Sequence, residues 1–420
     1  MKKAILILNK IELSNVPFWE WFRDTGNALL MICDSQVLDK AHDLGSRFER
    51  IIEVDNYEVS GQVEFEALRI SKEYRIEDVV AISEVDVIRA ARIRDYLNIT
   101  NKNESDLVLF REKVAMKNMA KRSGVRIPRF EKISNSTDLI RSADLIGFPM
   151  VVKPSLYGGS IGFSKAYSME DLQNIAKRIM LKPDVSFPLI GEEYLESEMV
   201  HCDGVFLKGE IIWSLTSNCV NGCLAFKEGL PNGGRTISTK SPVHKKCVEA
   251  ILKFINSIEP ETSFVFHAEF FVISEIEQPI FCEIACRPGG SRIRDMIKKI
   301  TNGFDIFKIH AMLLARQYDR VLEQIPGSHL FGVYLVLPPR KGILKIHNLP
   351  APSFATDFNW EYNCEFPTGS STDQAQHSGS ELASVVYTVE NEENLHEQTT
   401  QIKHWLIQNH EICTELECKI

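Results

Sequence analysis

Short apolar runs separated by mixed segments open the chain: Ala4–Leu8, Ala28–Cys33, Ile51–Val54 and Val79–Ile82. Runs of this length bounded by polar residues predict buried strands. The segments between them, around 17–24, 61–73 and 84–97, carry apolar residues at helical spacing. Strand and helix therefore alternate over the first 105 residues, which predicts an open parallel sheet of βαβ units.

From residue 106 the pattern changes. A single helix is predicted from Asp106 to Ser123, with Lys121 and Arg122 in its last turn, Gly124 just past its end and Pro128 beyond. Strand-like Val151–Lys153 runs into a glycine-rich turn at 158–162. A helix at 169–180 follows, opened by Ser168-x-x-Asp171 and striped by Leu172, Ile175, Ala176 and Ile179. Strands are predicted at 189–195, 203–207, 210–215, 264–273 and 279–285, an α+β arrangement with antiparallel hairpins. The final stretch is β-rich at Phe331–Leu337, polar and loop-like at Ser370–Ser380, and closes on an amphipathic helix near 392–409.

Composition narrows the function classes. The 420 residues are 44% apolar and 25% charged, ordinary for a globular protein of about three domains. The net charge of −9 argues against binding a nucleic-acid backbone, which wants basic patches. No apolar run approaches the ~20 residues of a membrane helix. Lys2 and Lys3 precede Ala4–Leu8, but Asn9 and Lys10 end that run too early for a leader peptide, so a cytoplasmic protein is expected. The 10 cysteines form no CxxC pair and no zinc-like spacing, which fits reduced thiols. Neither GxGxxG nor GxxxxGK[ST] occurs.

Four features carry chemistry. First, Phe148-Pro-Met-Val-Val-Lys153-Pro-Ser155 leads into Gly158-Gly159-Ser160-Ile-Gly162, a strand delivering a lysine to a flexible turn. Glycines let several backbone N–H groups converge on an anion; an ordinary glycine hairpin has the same sequence. Second, Phe264-Val-Phe-His267-Ala-Glu269 and Phe281-Cys-Glu283-Ile-Ala285 form a hairpin through Ser274–Gln278. With the turn centred on Ile276, Glu269 faces Glu283 and His267 faces Ala285. Two opposed carboxylates in apolar strands need a cation or a proton, unless the pair is a solvated edge. Oxygen ligands with open positions suit Mg²⁺. Third, Gly191-Glu192-Glu193-Tyr194-Leu195-Glu196-Ser197-Glu198 precedes His201 and Asp203, a stretch that reads equally as a solvated hairpin. Fourth, Arg287, Arg292, Arg294 and Arg235 offer forks for carboxylate or phosphate oxygens, and Arg287 lies four residues past Glu283.

The order of these parts resembles the ATP-grasp superfamily, and within it the carboxylate–amine ligases that include the L-amino-acid (dipeptide) ligases. The resemblance runs over about residues 75 to 315: Lys113 before Gly124-Val-Arg-Ile-Pro, then Lys153 and its glycine turn, Glu192-Glu-Tyr-Leu, Glu269, and Glu283 with Arg287-Pro-Gly-Gly. It implies a Rossmann-like N-terminal domain (1–105), an ATP-grasp unit of two α+β subdomains (106–325, with a lid over 106–190), and a small β-rich C-terminal α+β part completing it (326–420). It implies that Lys113, Lys153, Ser155, Gly158, Gly159 and Ser160 contact ATP phosphates. Glu192, Tyr194 and Leu195 would form the adenine hinge and Glu198 the ribose contact. Glu269 and Glu283 would hold Mg²⁺, with Mn²⁺ as the alternative ion. It also implies the reaction: a carboxylate attacks the γ-phosphate, and an amine displaces phosphate from the acylphosphate. Arg287 is assigned to the transferring phosphate and Arg292 to the acceptor carboxylate.

One position departs from the pattern. Many relatives carry Asn two residues after the second metal glutamate, where this chain has Ala285. His267, opposite it, is either a substitute for that Asn, directly or through water, or a structural histidine. The expected partners are small-molecule carboxylates and amines, amino acids among them, with a homodimer as the default assembly. The rivals are a ligase acting on formate or bicarbonate and a non-catalytic ATP-binding module. No biotin-attachment stretch is present, since Ala115-Met116-Lys117 is followed by Asn118.

Overall fold

The computed structural model describes residues 1–37, 47–99, 104–181, 188–222, 224–258, 263–273, 278–327, 329–356 and 359–413, without the side chains of 179–181. Cys223, Cys418, the side chain of Ile179 and the 274–277 part of the hairpin link lie outside this set.

The N-terminal alternation folds as expected. Strands β1 (Lys2–Asn9), β2 (Ala28–Asp34), β3 (Arg50–Val54) and β4 (Tyr74–Ala81) form one parallel sheet in the order β3-β2-β1-β4. Helices Gln62–Ile70 and Asp86–Tyr96 pack on it through Val63, Ala67, Ile70, Ala90 and Ile93. The next sheet is antiparallel, β5 (Phe130–Ile133), β6 (Met150–Pro154), β7 (Ser164–Ala166) and β8 (Leu189–Glu193), ordered β5-β8-β6-β7. It runs three residues past the expected lid edge at 190.

The single helix expected over 106–123 is two, Glu104–Val108 and Lys113–Arg122. Glu112 breaks it. Its backbone is extended, and its carboxylate accepts from the N–H groups of Val114 (3.1 Å) and Ala115 (2.7 Å), a side-chain cap that restarts the helix. Gly124 follows the second helix at φ +72°, where a side chain would be strained. Ser168 caps the helix Met169–Leu181 through Asp171 N–H at 3.2 Å, and the Asp171 carboxylate returns to Tyr167 N–H at 2.8 Å.

The remaining strands are β9 (Glu198–Leu207), β10 (Glu210–Val220), β11 (Asn232–Thr236), β12 (Phe264–Val272), β13 (Ile280–Ala285), β14 (Phe331–Leu337), β15 (Gly342–Ile346), β16 (Trp360–Cys364), β17 (Ser371–Thr372), β18 (Ala383–Val389) and β19 (His410–Cys413). Eight of them build one antiparallel sheet, β13-β12-β9-β10-β11-β14-β18-β16, and β17-β15-β19 form a small separate one. The C-terminal strands thus extend the central sheet.

Strand alternation decides what each face of the central sheet does. On β12, Phe264, Phe266, Ala268 and Phe270 point into a core shared with helices Lys113–Arg122 and Pro242–Asn256. Each buried phenylalanine there contributes about 1.5–3 kcal/mol. On the other face Val265 joins Val205, Leu207 and the helix Ile293–Ile300 in a second core. Toward one end that same face carries His201, Asp203, His267 and Glu269 instead of apolar residues.

Candidate active site

A cavity of about 900 Å³ lies between the central sheet and the β5–β8 sheet. Its floor is the β12–β13 hairpin. The register is the one expected: Glu269 pairs with Glu283 and His267 with Ala285, with a bulge only after Glu269. Both glutamates are partly exposed and line the cavity. Lys113 Nζ stands 3.3 Å from Glu283 and donates to Tyr157 carbonyl at 2.7 Å. An ammonium thus already partners one of the two carboxylates. This donor set, oxygen-only and open to the cavity, fits a divalent cation bound to phosphates.

Above the floor sits a buried charge triad. Glu192 on β8 is 3% exposed and ion-paired with Lys153 on β6 (2.6 Å) and with Lys117 (2.9 Å), which is itself 0% exposed. Burial pushes the Glu192 carboxyl up, but the two ammoniums outweigh it and hold it at about 2. Burial works against the Lys153 charge in turn, and Glu192 more than offsets it, raising its pKa. The next residue on the strand, Glu193, also borders the cavity and pairs with Arg129 at 3.1 Å. Tyr194 N–H is committed to Pro149 carbonyl at 3.2 Å, while the Lys165 ammonium lies 3.9 Å from the Tyr194 ring centroid. Leu195 and Glu198 line the same wall.

The glycine turn also lines the cavity, through Gly158, Gly159 and Ser160. Gly159 (φ +61°) and Gly162 (φ +72°) are left-handed, and a Cβ on Gly162 would come within 2.8 Å of the Pro154 ring. The Gly159 carbonyl accepts from Ser378 N–H at 3.2 Å, tying the turn to the C-terminal part.

Arg287 reaches the cavity beside Glu283, and its guanidinium contacts Glu84, which also meets Arg111. Burial pushes Glu84 up, yet Arg287 and Arg111 hold it down at about 2. Arg235 lines the cavity and contacts His396.

Beside the two glutamates on the floor lies a second polar group. Asp203 accepts from His201 Nδ1 at 2.7 Å and from His267 Nδ1 at 2.8 Å. Burial raises the Asp203 carboxyl, but the two imidazoles draw it well below the usual carboxylate range. Burial disfavours charge on His267, and Asp203 with Glu269 overrides it, lifting the ring to about 10. The glycines of this region serve close approach. A Cβ on Gly204 would lie 2.4 Å from the Phe266 ring, and one on Gly289 would lie 2.7 Å from Asp203 Oδ1. His-x-Asp-Gly and Arg-Pro-Gly-Gly are therefore packed on one another.

Two residues assigned by resemblance do not reach the cavity. Ser155 is 0% exposed, and its backbone braces the fold by donating to the Pro188 carbonyl (3.2 Å) and accepting from Lys113 N–H (3.0 Å). Arg292 is held by Glu381 (3.0 and 3.2 Å) and Asp295 (3.1 Å), away from the walls. Arg294 likewise pairs with Asp305 at 2.8 Å. Asn218, Cys219, Leu224, Glu228 and Asn232 line the rest of the cavity wall, whereas Phe226 is buried behind it.

The helix expected near 392–409 forms as Leu395–Asn409, but sequence reasoning missed that its His396, Thr399, Thr400 and Lys403 line the cavity, as it missed Lys117, Glu84 and Lys165. Lys117 had a signal: it is four residues from Lys113, on the same helix face. Glu84 follows the carboxyl end of a parallel strand, where open α/β sheets place functional groups.

No family model matches the chain. A curated relative, an L-arginine-specific L-amino acid ligase from Bacillus subtilis, is 26% identical over 348 residues, 80% of this chain and 81% of that protein. Among solved structures, an L-amino acid ligase from Bacillus licheniformis superposes with a TM-score of 0.71 at 13% identity, covering 99% of both chains. The biotin carboxylase domain of a 2-oxoglutarate carboxylase from Hydrogenobacter thermophilus, solved with MgADP and bicarbonate, gives 0.66 at 16% identity over 98% of this chain and 90% of that one. These likenesses bear out the ATP-grasp fold and the carboxylate–amine ligase resemblance drawn from the motifs. Among the described residues no helix is long and apolar enough to cross a membrane.

Proposed function

We propose that this chain, an ATP-dependent carboxylate–amine ligase of the ATP-grasp fold, joins the carboxylate of an amino acid to an amine and releases ADP and phosphate. The observation that carries the reading is the opposed pair Glu269–Glu283 on the cavity floor, flanked by Lys113, Lys153 and Arg287. The amino-acid substrate is supported by the Bacillus subtilis relative, whose name specifies that class. The domain layout proposed is the one expected from the sequence, 1–105, 106–325 with its lid, and 326–420.

Phosphoryl transfer asks for in-line positioning and charge neutralisation more than for acid–base groups. Glu269 and Glu283 would hold Mg²⁺, which when bound neutralises the phosphate oxygens. Lys113 and Lys153 point charge at the phosphates, with Glu192 and Lys117 fixing the Lys153 side chain. The Gly158–Ser160 turn covers them. The hinge Glu192–Leu195 takes the adenine through backbone atoms and Glu198 the ribose. The substrate carboxylate oxygen bonds to the γ-phosphorus as the bond to ADP breaks. The amine nitrogen then bonds to the acyl carbon, phosphate leaves, and the nitrogen releases its proton to solvent. Arg287 holds the transferring phosphate through both steps.

The test is phosphate release from Mg-ATP against single and paired amino acids, with mass analysis. Release that needs two amino acids, and a product equal to their summed mass less one water, is the expected result. Turnover only with bicarbonate or formate would replace the substrate assignment. Nucleotide binding without turnover on any acid–amine pair would refute the ligase reading. Sedimentation of the same sample tests the homodimer.

A further inference from the structure

The floor of the cavity offers a cation more than two carboxylates. His267 and Glu269 are two residues apart on β12 and share one face of the sheet. Across the hairpin, Glu283 and Ala285 do the same. Three of these four positions carry donors, and the fourth is a methyl group directly opposite the imidazole. The ring is not free to turn. Asp203 on β9, the register partner of His267 on its other side, accepts from Nδ1 at 2.8 Å. This leaves Nε2 facing Glu269, 3.5 Å from Oε1.

Without an ion, that spacing makes the two groups a histidine–carboxylate ion pair. A nitrogen and an oxygen each bound at ~2.1 Å to one ion lie ~3.0 Å apart at a right angle and ~3.4 Å apart at a tetrahedral one. The pair therefore reaches a shared ion with a shift of a few tenths of an ångström. Metal-ligating histidines characteristically donate their other N–H to a carboxylate, which is what Asp203 provides. Gly289 protects the arrangement: a Cβ there would sit 2.8 Å from His267 Nδ1. Asp203 also holds His201, but that ring's Nε2 stands 3.4 Å from the Tyr334 hydroxyl.

We propose that His267, giving up its Nε2 proton to solvent, is a ligand of the cation held by Glu269 and Glu283, and that the resulting imidazole–carboxylate site prefers Mn²⁺ to Mg²⁺. Asp203 is the positioning residue that presents the ring. The inference rests on the ligase reading, since it assumes a divalent cation between these glutamates and the nucleotide. Its physical basis is ligand softness: an all-oxygen set suits Mg²⁺, whereas imidazole favours the later divalent ions.

The experiment is pulsed electron paramagnetic resonance of Mn²⁺ bound to the full chain with ADP, together with competition of Mg²⁺ for that site. The expected result is imidazole ¹⁴N modulation on the Mn²⁺ signal, lost in His267→Ala and kept in His201→Gln. The preference for Mn²⁺ over Mg²⁺ should fall roughly tenfold or more in His267→Ala, the scale on which metal sites respond to lost support. Adding Ala285→Asn to that variant should restore cation binding with an oxygen ligand and no modulation. Bound Mn²⁺ without ¹⁴N modulation overturns the inference and leaves the ligase reading standing. Modulation that survives His267→Ala, or that disappears only with His201→Gln, also overturns it. If ADP recruits no Mn²⁺ at all, both readings fall. Should His267→Ala not fold, His267→Gln serves in its place, and the unmodified chain already decides whether any imidazole is bound.

Discussion

Replacing Glu192 by Gln should be among the most damaging single-atom changes available to this protein. The triad of Lys117, Lys153 and Glu192 carries a net charge of +1 in a site that is almost fully buried. Glu192→Gln keeps the volume but raises that charge to +2. The two ammoniums, held by opposite oxygens of one carboxylate, would then repel across roughly 6 Å, about 3 kcal/mol at an effective dielectric of about 20. Stranding a buried charge by removing its partner costs ~3–5 kcal/mol in general, which agrees. For a cooperative unit of 150–250 residues this lowers the unfolding midpoint by roughly 6–20 °C. Lys117→Met is the informative contrast. It leaves Glu192 and Lys153 as a neutral pair, and the Met side chain fills the space of the lysine stem, so its cost should stay below about 2 kcal/mol. Thermal unfolding followed by circular dichroism at pH 7 compares the two. If Lys117→Met destabilises as much as Glu192→Gln, packing rather than charge governs the site, and the reasoning fails.

Two further outcomes follow from the same geometry. Arg287→Lys keeps a charge beside Glu283 but loses the planar fork, so kcat should drop about 100-fold while ADP affinity stays within a few-fold; a change confined to KM would remove Arg287 from the transferring phosphate. Glu192 and Glu84 are both held near 2, below the ordinary 4.5 of a glutamate, by Lys117 with Lys153 and by Arg287 with Arg111 respectively. Their folded values lie below the unfolded ones, so their stabilisation is complete above about pH 4.5 and is lost as pH falls through about 2; the unfolding midpoint should be level in that respect above pH 5 and decline below it, less steeply in Glu192→Gln, and an identical slope in the variant would contradict the assignment.

What the chain reveals before folding is what local rules govern. Period-2 alternation and a short polar link were enough to pair Glu269 with Glu283 and His267 with Ala285, because a hairpin has few registers and its partners are near in sequence. The βαβ pattern of the first 105 residues and the capped helix after Ser168 were legible for the same reason. The helix over 106–123 misled because Glu112, an ordinary helix former, caps a new helix with its side chain. The site's electrostatics belong to tertiary structure alone. Glu192 meets Lys117 across 75 residues of chain, and Arg287 meets Glu84 across 203. No periodicity links such positions. Arg292 and Ser155 show the same limit: each has the right chemistry in the right motif, yet Glu381 claims one and the backbone of the β6 end buries the other. Residue type and spacing determine which groups are offered to a site. Which of them stay free for a ligand is decided by the charges that distant strands and helices bring against them, since a buried charge must be answered by whatever lies within a few ångströms.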